Sequence, residues 1–170
     1  MRNVIVLGIV SLLTDISSEM LYPIVPLFVT AVLGASPAIV GMMEGLAEST
    51  ASLLKIWSGY WSDRLGVRKP LVFGGYGLSA LTRPLLAVAN AWPTVLLARV
   101  LDRTGKGLRG APQDALIADS VEPAQRGRAF GLHRSMDQTG AIIGPLLGAG
   151  LLAWYGGNYR LAFIVAFIPS

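Results

Sequence analysis

Apolar runs long enough to cross a bilayer recur along this chain, and short connections separate them. A spanning helix needs about 20 mostly apolar residues. Such runs lie near 4–32, 37–61, 71–90, 93–119 and 128–153, and a sixth opens near 159 and continues to Ser170. A water-soluble chain needs polar surface over its core, with about 25% of residues charged in an average domain. Here 14% are charged and 53% are hydrophobic. The pattern predicts an all-α integral membrane protein, one transmembrane bundle over 1–170 whose sixth helix, 159–170, is truncated. The chain stops inside FIVAFIPS without a polar tail, which reads as a fragment of a longer protein. The start, MRNVIVLGIVSLLTD, is basic and then apolar like a secretory leader. It lacks a small-residue cleavage site and runs on through Asp15 and Glu19, so it reads as a retained first helix.

The loops alternate in charge. Gly34–Pro37, Asn90–Pro93 and Tyr155–Asn158 carry turn residues and almost no charge. Ser62–Pro70 and Ser120–Arg128 carry Arg64, Arg68, Lys69, Arg126 and Arg128, and Arg2 falls on the same side if the helices alternate. Only Arg160 falls opposite. The positive-inside rule then puts the N terminus and both basic loops in the cytoplasm. The expected location is a plasma membrane, a bacterial inner membrane.

Several classes drop out. There is no cysteine, hence no disulfide framework or thiolate metal site. No zinc-ligand spacing, P-loop or dinucleotide fingerprint is present, and GKG at 105–107 lacks the required glycine spacing and Ser/Thr ending. Nothing suggests a catalytic residue, an enzyme, a metal or a cofactor. The net charge of +4 is not gathered in a solvated tract, which argues against a nucleic-acid partner.

One connection is more specific than a generic basic loop. In GYWSDRLGVRKP, Gly59 lies one turn before Asp63, Gly66 permits a sharp turn, Arg68 and Lys69 sit at headgroup depth, and Pro70 suits a first helical turn. This stretch resembles the loop 2–3 signature of the major facilitator superfamily, G-x-L-x-D-R-x-G-R-[KR]-[KR]. Gly59, Asp63, Arg64, Gly66, Arg68 and Lys69 match, and Trp61 stands where Leu is usual. RVLDRTGKG resembles the fourth-helix pattern R-x-x-x-G-x-x-x-G at Arg99 and Gly107, with Arg103 replacing the first glycine. PAQRGRAFG resembles the loop 4–5 segment, and GAIIGPLLGAG the fifth-helix G-x-x-x-G-P-x-x-G common in antiporters, at Gly140, Gly144 and Pro145. The resemblance covers essentially the whole chain but about half of a usual twelve-helix member. It implies the N-terminal six-helix bundle, a C-terminal half as partner, and alternating access by rocking of the halves. It also implies that Asp63 meets Arg126 or Arg128 when the cytoplasmic side is closed, and that Arg99 acts in proton transfer.

Charges inside membrane helices are costly and usually face a cavity or a partner. Asp15, Ser18, Glu19 and Tyr22 share a face of the first helix, ahead of Pro23 and Pro26. Asp15 or Glu19 is then either a proton carrier beside a substrate cavity or a carboxylate neutralised by an arginine. Glu44 and Glu48 lie one turn apart on the second helix, as a coupling site or a satisfied network, with Lys55 at similar spacing. Arg99, Asp102, Arg103, Lys106 and Arg109 form a charged stripe on the fourth helix. That stripe suits an anionic substrate, since Arg binds carboxylate or phosphate bidentately. Alternatively, it pairs internally with Asp15, Glu19, Glu44, Glu48 and Asp137. Arg134, Asp137 and Gln138 make a polar face on the fifth helix, and we read His133 as structural or solvated. Arg83 has no evident partner. Gly140, Gly144, Gly148 and Gly150 allow close helix approach, and Pro145 removes a backbone donor. The expected partners are the bilayer and a small-molecule substrate. The expected function is proton-coupled efflux of an organic or anionic compound. An importer or exchanger of organic anions, or a non-transporting sensor or assembly factor on the same scaffold, are the alternatives.

Overall fold

The computed structural model describes all residues from Met1 to Ser170, and every regular element is helical. The first helix, Arg2–Leu21, is carried past Pro23 by a turn at Ile24–Leu27 and a π-helical turn at Phe28–Val32. Five more follow: the second, Pro37–Leu65; the third, Arg68–Ala87; the fourth, Trp92–Asp119; the fifth, Arg126–Trp154; and the sixth, Tyr159–Ala166. Prolines start the second and fourth helices at a position whose N–H has no helical partner in any case. The second helix runs past residue 61 because its terminal charges do not break it. Gly66 does, in the left-handed region at φ +65°, with its N–H bonded to the Ser62 carbonyl. Pro84, Pro112 and Pro145 lie inside helices that continue through them.

Three pairings build the bundle: first on fifth, second on fourth, and third on fourth. Each uses small residues. A Cβ on Gly105 would meet the Gly75 carbonyl at 2.5 Å, and one on Gly107 would meet the Ala51 carbonyl at 2.7 Å. A Cβ on Gly140, Gly144 or Gly148 would run into the first helix at Leu12, Glu19 or Met20. Gly150, expected to share that role, faces open space.

The core is lopsided. Met20, Ile24, Phe28, Met43, Leu86, Val95 and Phe163 belong to one apolar cluster at the end away from the basic loops. A much smaller cluster, Val4, Ile117 and Ala129, lies at the loop end. Charged and polar side chains fill the space between. Large apolar groups point outward instead, with Phe73 81% exposed and Trp154 86%. Water would penalise such a surface, whereas lipid tails solvate it. By length and hydropathy alone only the first helix, Arg2–Val32, qualifies as a membrane span. Most of the others carry charges within their length, and the burial of Arg83, Arg99, Asp102, Arg103 and Arg109 is what the sequence average conceals.

Candidate functional site

The first, second, fourth and fifth helices line an open-sided cavity of about 250 Å³, along which Glu48, Lys55, Lys106, Asp114 and Arg134 are exposed. Each contributes side chains one helical turn apart: Ser11 and Asp15, then Glu48, Ser52 and Lys55, then Lys106, Arg109, Gln113 and Asp114, then His133, Arg134 and Asp137. Four acids and four bases line it, and Ala51 is its single apolar residue. Lys55, Lys106 and Arg134 form no ion pair, nor do Asp15 and Asp114. Asp15 looks across at Lys106, Arg109 and Asp137.

The expected charged stripe on the fourth helix does not act as one surface. Arg99 is buried and donates to Glu44 of the second helix from Nε at 3.0 Å and Nη2 at 2.6 Å, with the Tyr22 ring 5.9 Å away. Arg103 turns the same way, its Nε 3.5 Å from Glu48. Asp102 and Arg109 turn toward the third helix, Asp102 to Arg83 at 3.3 Å and Arg109 to the Ser79 hydroxyl at 2.9 Å. Only Lys106 and Arg109 of the stripe reach the cavity wall. Arg99, Asp102 and Arg103 are therefore held in pairs and do not line this cavity. Glu44 and Glu48 do not oppose each other, because each takes its own arginine.

Tyr22, grouped by spacing with Asp15, lies outside the cavity and is half exposed. Glu19 stacks on Gly144 of the fifth helix and does not line it either. Ser18, on the same face by spacing, serves Arg83 instead. Arg83 is the largest fully enclosed side chain. It donates to the hydroxyls of Ser17 at 3.0 Å and Ser18 at 2.8 Å, to the Ser79 carbonyl, and to Asp102.

At the loop end the expected pairing differs as well. Asp63 meets Arg68, 3.6 Å away across the Gly66 turn, and Arg68 also binds Asp119 at the end of the fourth helix. Arg126 and Arg128 are exposed and form no ion pair. The reason is packing: the fifth helix that they open lies against the first, whereas the second lies against the fourth. Arg64 donates to the Tyr60 hydroxyl at 2.7 Å, Lys69 is exposed, and Gly59 faces Ala111, where a Cβ would sit 3.2 Å away.

Sequence reasoning missed one arrangement. The Tyr76 hydroxyl of the third helix donates to Gln113 Oε1 at 3.1 Å, and Gln113 Nε2 lies 2.7 Å from His133 Nε2. His133 Nδ1 in turn lies 3.3 Å from Asp137. Extending the stripe by one turn, from Arg109 to Gln113, was the available clue. His133 is buried against these partners, not freely solvated. Chemically, the cavity offers both charges to a small polar solute and side chains able to carry a proton.

A profile described as Major Facilitator Superfamily matches residues 7–170. An uncharacterized MFS-type transporter of Methanocaldococcus jannaschii is 37% identical over 165 residues, 97% of this chain and 41% of its own length. Multidrug resistance protein MdtH of Aeromonas hydrophila is 34% identical over 146 residues, 86% of this chain and 36% of its own. Among solved structures, a bacterial homolog to the human lysosomal transporter Spinster, inward-facing and occupied, superposes with a TM-score of 0.83 at 19% identity. That match covers 99% of this chain and 41% of the other. This chain thus spans about two fifths of the length of the curated relatives it matches first.

Proposed function

This chain belongs to the major facilitator superfamily, whose members are multi-pass membrane proteins, and from that premise we propose that the full-length protein is a secondary active transporter. It moves a small, charged organic solute by alternating access, as a proton-coupled exporter in a plasma membrane, with the N terminus in the cytoplasm. The observation that carries this reading is the cavity. A bundle that turns large apolar side chains outward carries an open-sided space lined by four acids and four bases. A scaffold or sensor has no use for so many costly intramembrane charges. Lys106 and Arg109, with Lys55 and Arg134, supply the anion contacts, and Asp137 supplies an opposite charge. Asp15 and Glu48 are the proton carriers, since both line the same space as those bases. Glu44, Arg99, Asp102 and Arg103, paired across helices, then hold the bundle together around it.

The loop-end network of Asp63, Arg68 and Asp119 acts as part of the gate, with Arg64, Lys69, Arg126 and Arg128 at its rim. The close seam at Gly140, Gly144 and Pro145 keeps the first and fifth helices moving together. Efflux is favoured over import by the fifth-helix glycine and proline pattern and by the similarity to a protein named for multidrug resistance. The lining favours polar organic anions over lipophilic drugs, because only one of its residues is apolar.

The test is flux in proteoliposomes holding the full-length protein, with a panel of radiolabelled organic anions and an imposed pH gradient. Asp15→Asn and Glu48→Gln should abolish gradient-driven flux while leaving the protein folded. Normal flux with unchanged pH dependence in both variants would remove these two from the coupling role.

A further inference from the structure

The hydrogen-bond chain from Asp137 through His133 and Gln113 to Tyr76 has a property its members lack singly. Gln113 has one carbonyl oxygen and one amide nitrogen, and it spends them on two different neighbours. Its nitrogen only donates and its oxygen only accepts. With the amide as it stands, Tyr76 donates to Oε1 and Nε2 donates to His133. His133 Nε2 must then be bare, so its single proton is on Nδ1, facing Asp137. This is one polarity of the chain. An imidazolium bears hydrogen on both nitrogens, and its Nε2–H cannot face an amide N–H₂ at 2.7 Å.

We propose that His133, Gln113 and Tyr76 form a two-state polarity switch, in which a proton taken up on His133 reverses the Gln113 amide and turns the Tyr76 hydroxyl. When Nε2 gains its proton, the amide rotates to present Oε1 to it, and Nε2 of Gln113 then donates to the Tyr76 oxygen. The Tyr76 proton, displaced from Gln113, turns toward Ser11 of the first helix, which lines the same cavity as Gln113 and Asp137. No bond other than the new N–H forms, and the added charge is met by Asp137. The Tyr76 ring itself stays in place under the Arg109 guanidinium, 4.5 Å from its centroid. Protonation of the fifth helix is thereby reported to the fourth, third and first.

Other charges bear on the same proton. Arg134 lies on the same helix as Asp137, Lys106, Arg109 and Asp114 on the fourth, Asp15 on the first, and Glu48 and Lys55 on the second, all lining the same cavity. The inference rests on the transport reading for its purpose, but not for its existence, so the experiment uses no substrate.

Full-length protein in nanodiscs, labelled with ¹⁵N-histidine and ¹³Cζ-tyrosine, is titrated by NMR, with His133→Gln and Tyr76→Phe for assignment. The expected result is a neutral His133 bearing its proton on Nδ1, and a Tyr76 Cζ signal that moves on acidification with the midpoint of His133 Nε2. In Gln113→Met, close in shape but with neither amide group, His133 should still titrate while the Tyr76 signal stays flat. A neutral His133 protonated on Nε2, a Tyr76 signal that never moves, or movement that survives in Gln113→Met each overturns the switch. Should that variant not fold, the two wild-type midpoints decide alone. A working switch in a protein that moves no solute with protons would sink the transport reading and leave this one standing.

Discussion

Arg83 shows what a single buried charge does in this bundle. Its head is enclosed, and its donors are spent on two serines of the first helix, an aspartate of the fourth, and a carbonyl of its own. Removing one member of a buried pair strands the other, at a cost of about 3–5 kcal/mol. Arg83→Leu should therefore destabilise the full-length protein by about that much in thermal or denaturant unfolding in detergent. Arg83→Leu combined with Asp102→Leu should recover part of the loss, because no lone carboxylate remains. Arg83→Lys keeps the charge but not the planar fork, and should fall between them. An Arg83→Leu protein as stable as the wild type would mean that the pair contributes nothing. The sequence shows Arg83 as a mid-span charge beside Pro84 but not its partners. Ser17, Ser18 and Asp102 come from other helices, and no periodicity within the third helix points to them.

Helix periodicity explains which sequence patterns translate into contacts and which do not. At about 100° per residue, the fourth-helix charges from Arg99 to Arg109 spread over about 120° of its surface. One edge holds Arg99 and Arg103 and meets the second helix; the other holds Asp102 and Arg109 and meets the third. Lys106 lies between and reaches the cavity. The stripe is legible as charged, but its width only divides once neighbouring helices are in place. The fifth-helix glycines are more legible. Residues 140, 144 and 148 recur every fourth position, while 150 lies about 200° round from 148. Their surroundings differ accordingly: a Cβ at Gly148 would sit 2.5 Å from the Met20 carbonyl, whereas one at Gly150 meets nothing. Gly148→Ala should force the first and fifth helices apart and cost about 1–3 kcal/mol, as overpacking does. Gly150→Ala, on open helix surface, should be neutral or gain up to about 1 kcal/mol from helix propensity. Parallel unfolding curves decide this, and equal losses at both positions would mean that the close seam is not what the glycines serve.

Across the whole molecule the arrangement is polarised end to end, and that polarity has a direction in the membrane. The far end is closed by the cluster around Phe28 and Phe163, while the cavity and the Asp63–Arg68–Asp119 network lie toward the basic loops. The number of helices and the loop charges were readable from apolar run length and from Arg and Lys counts, because both are one-dimensional properties. The cavity was not, because its wall is assembled from four helices and this chain covers about two fifths of its relatives. The basic loops carry Arg64, Arg68, Lys69, Arg126 and Arg128, against Arg160 at the other end. If they face the cytoplasm, Ser36 and Ala91, both exposed in connections at the closed end, lie outside the cell, and exposed Gln125 lies inside. This segment has no cysteine, so single substitutions report cleanly once cysteines elsewhere in the full-length protein are replaced. Ser36→Cys and Ala91→Cys should react with a membrane-impermeant maleimide in intact cells, and Gln125→Cys only after lysis. The reverse pattern would turn the charged cavity toward the outside. The closed cluster would then face the cytoplasm, and the proposal that the cavity takes up its solute from inside would have to be given up in favour of import.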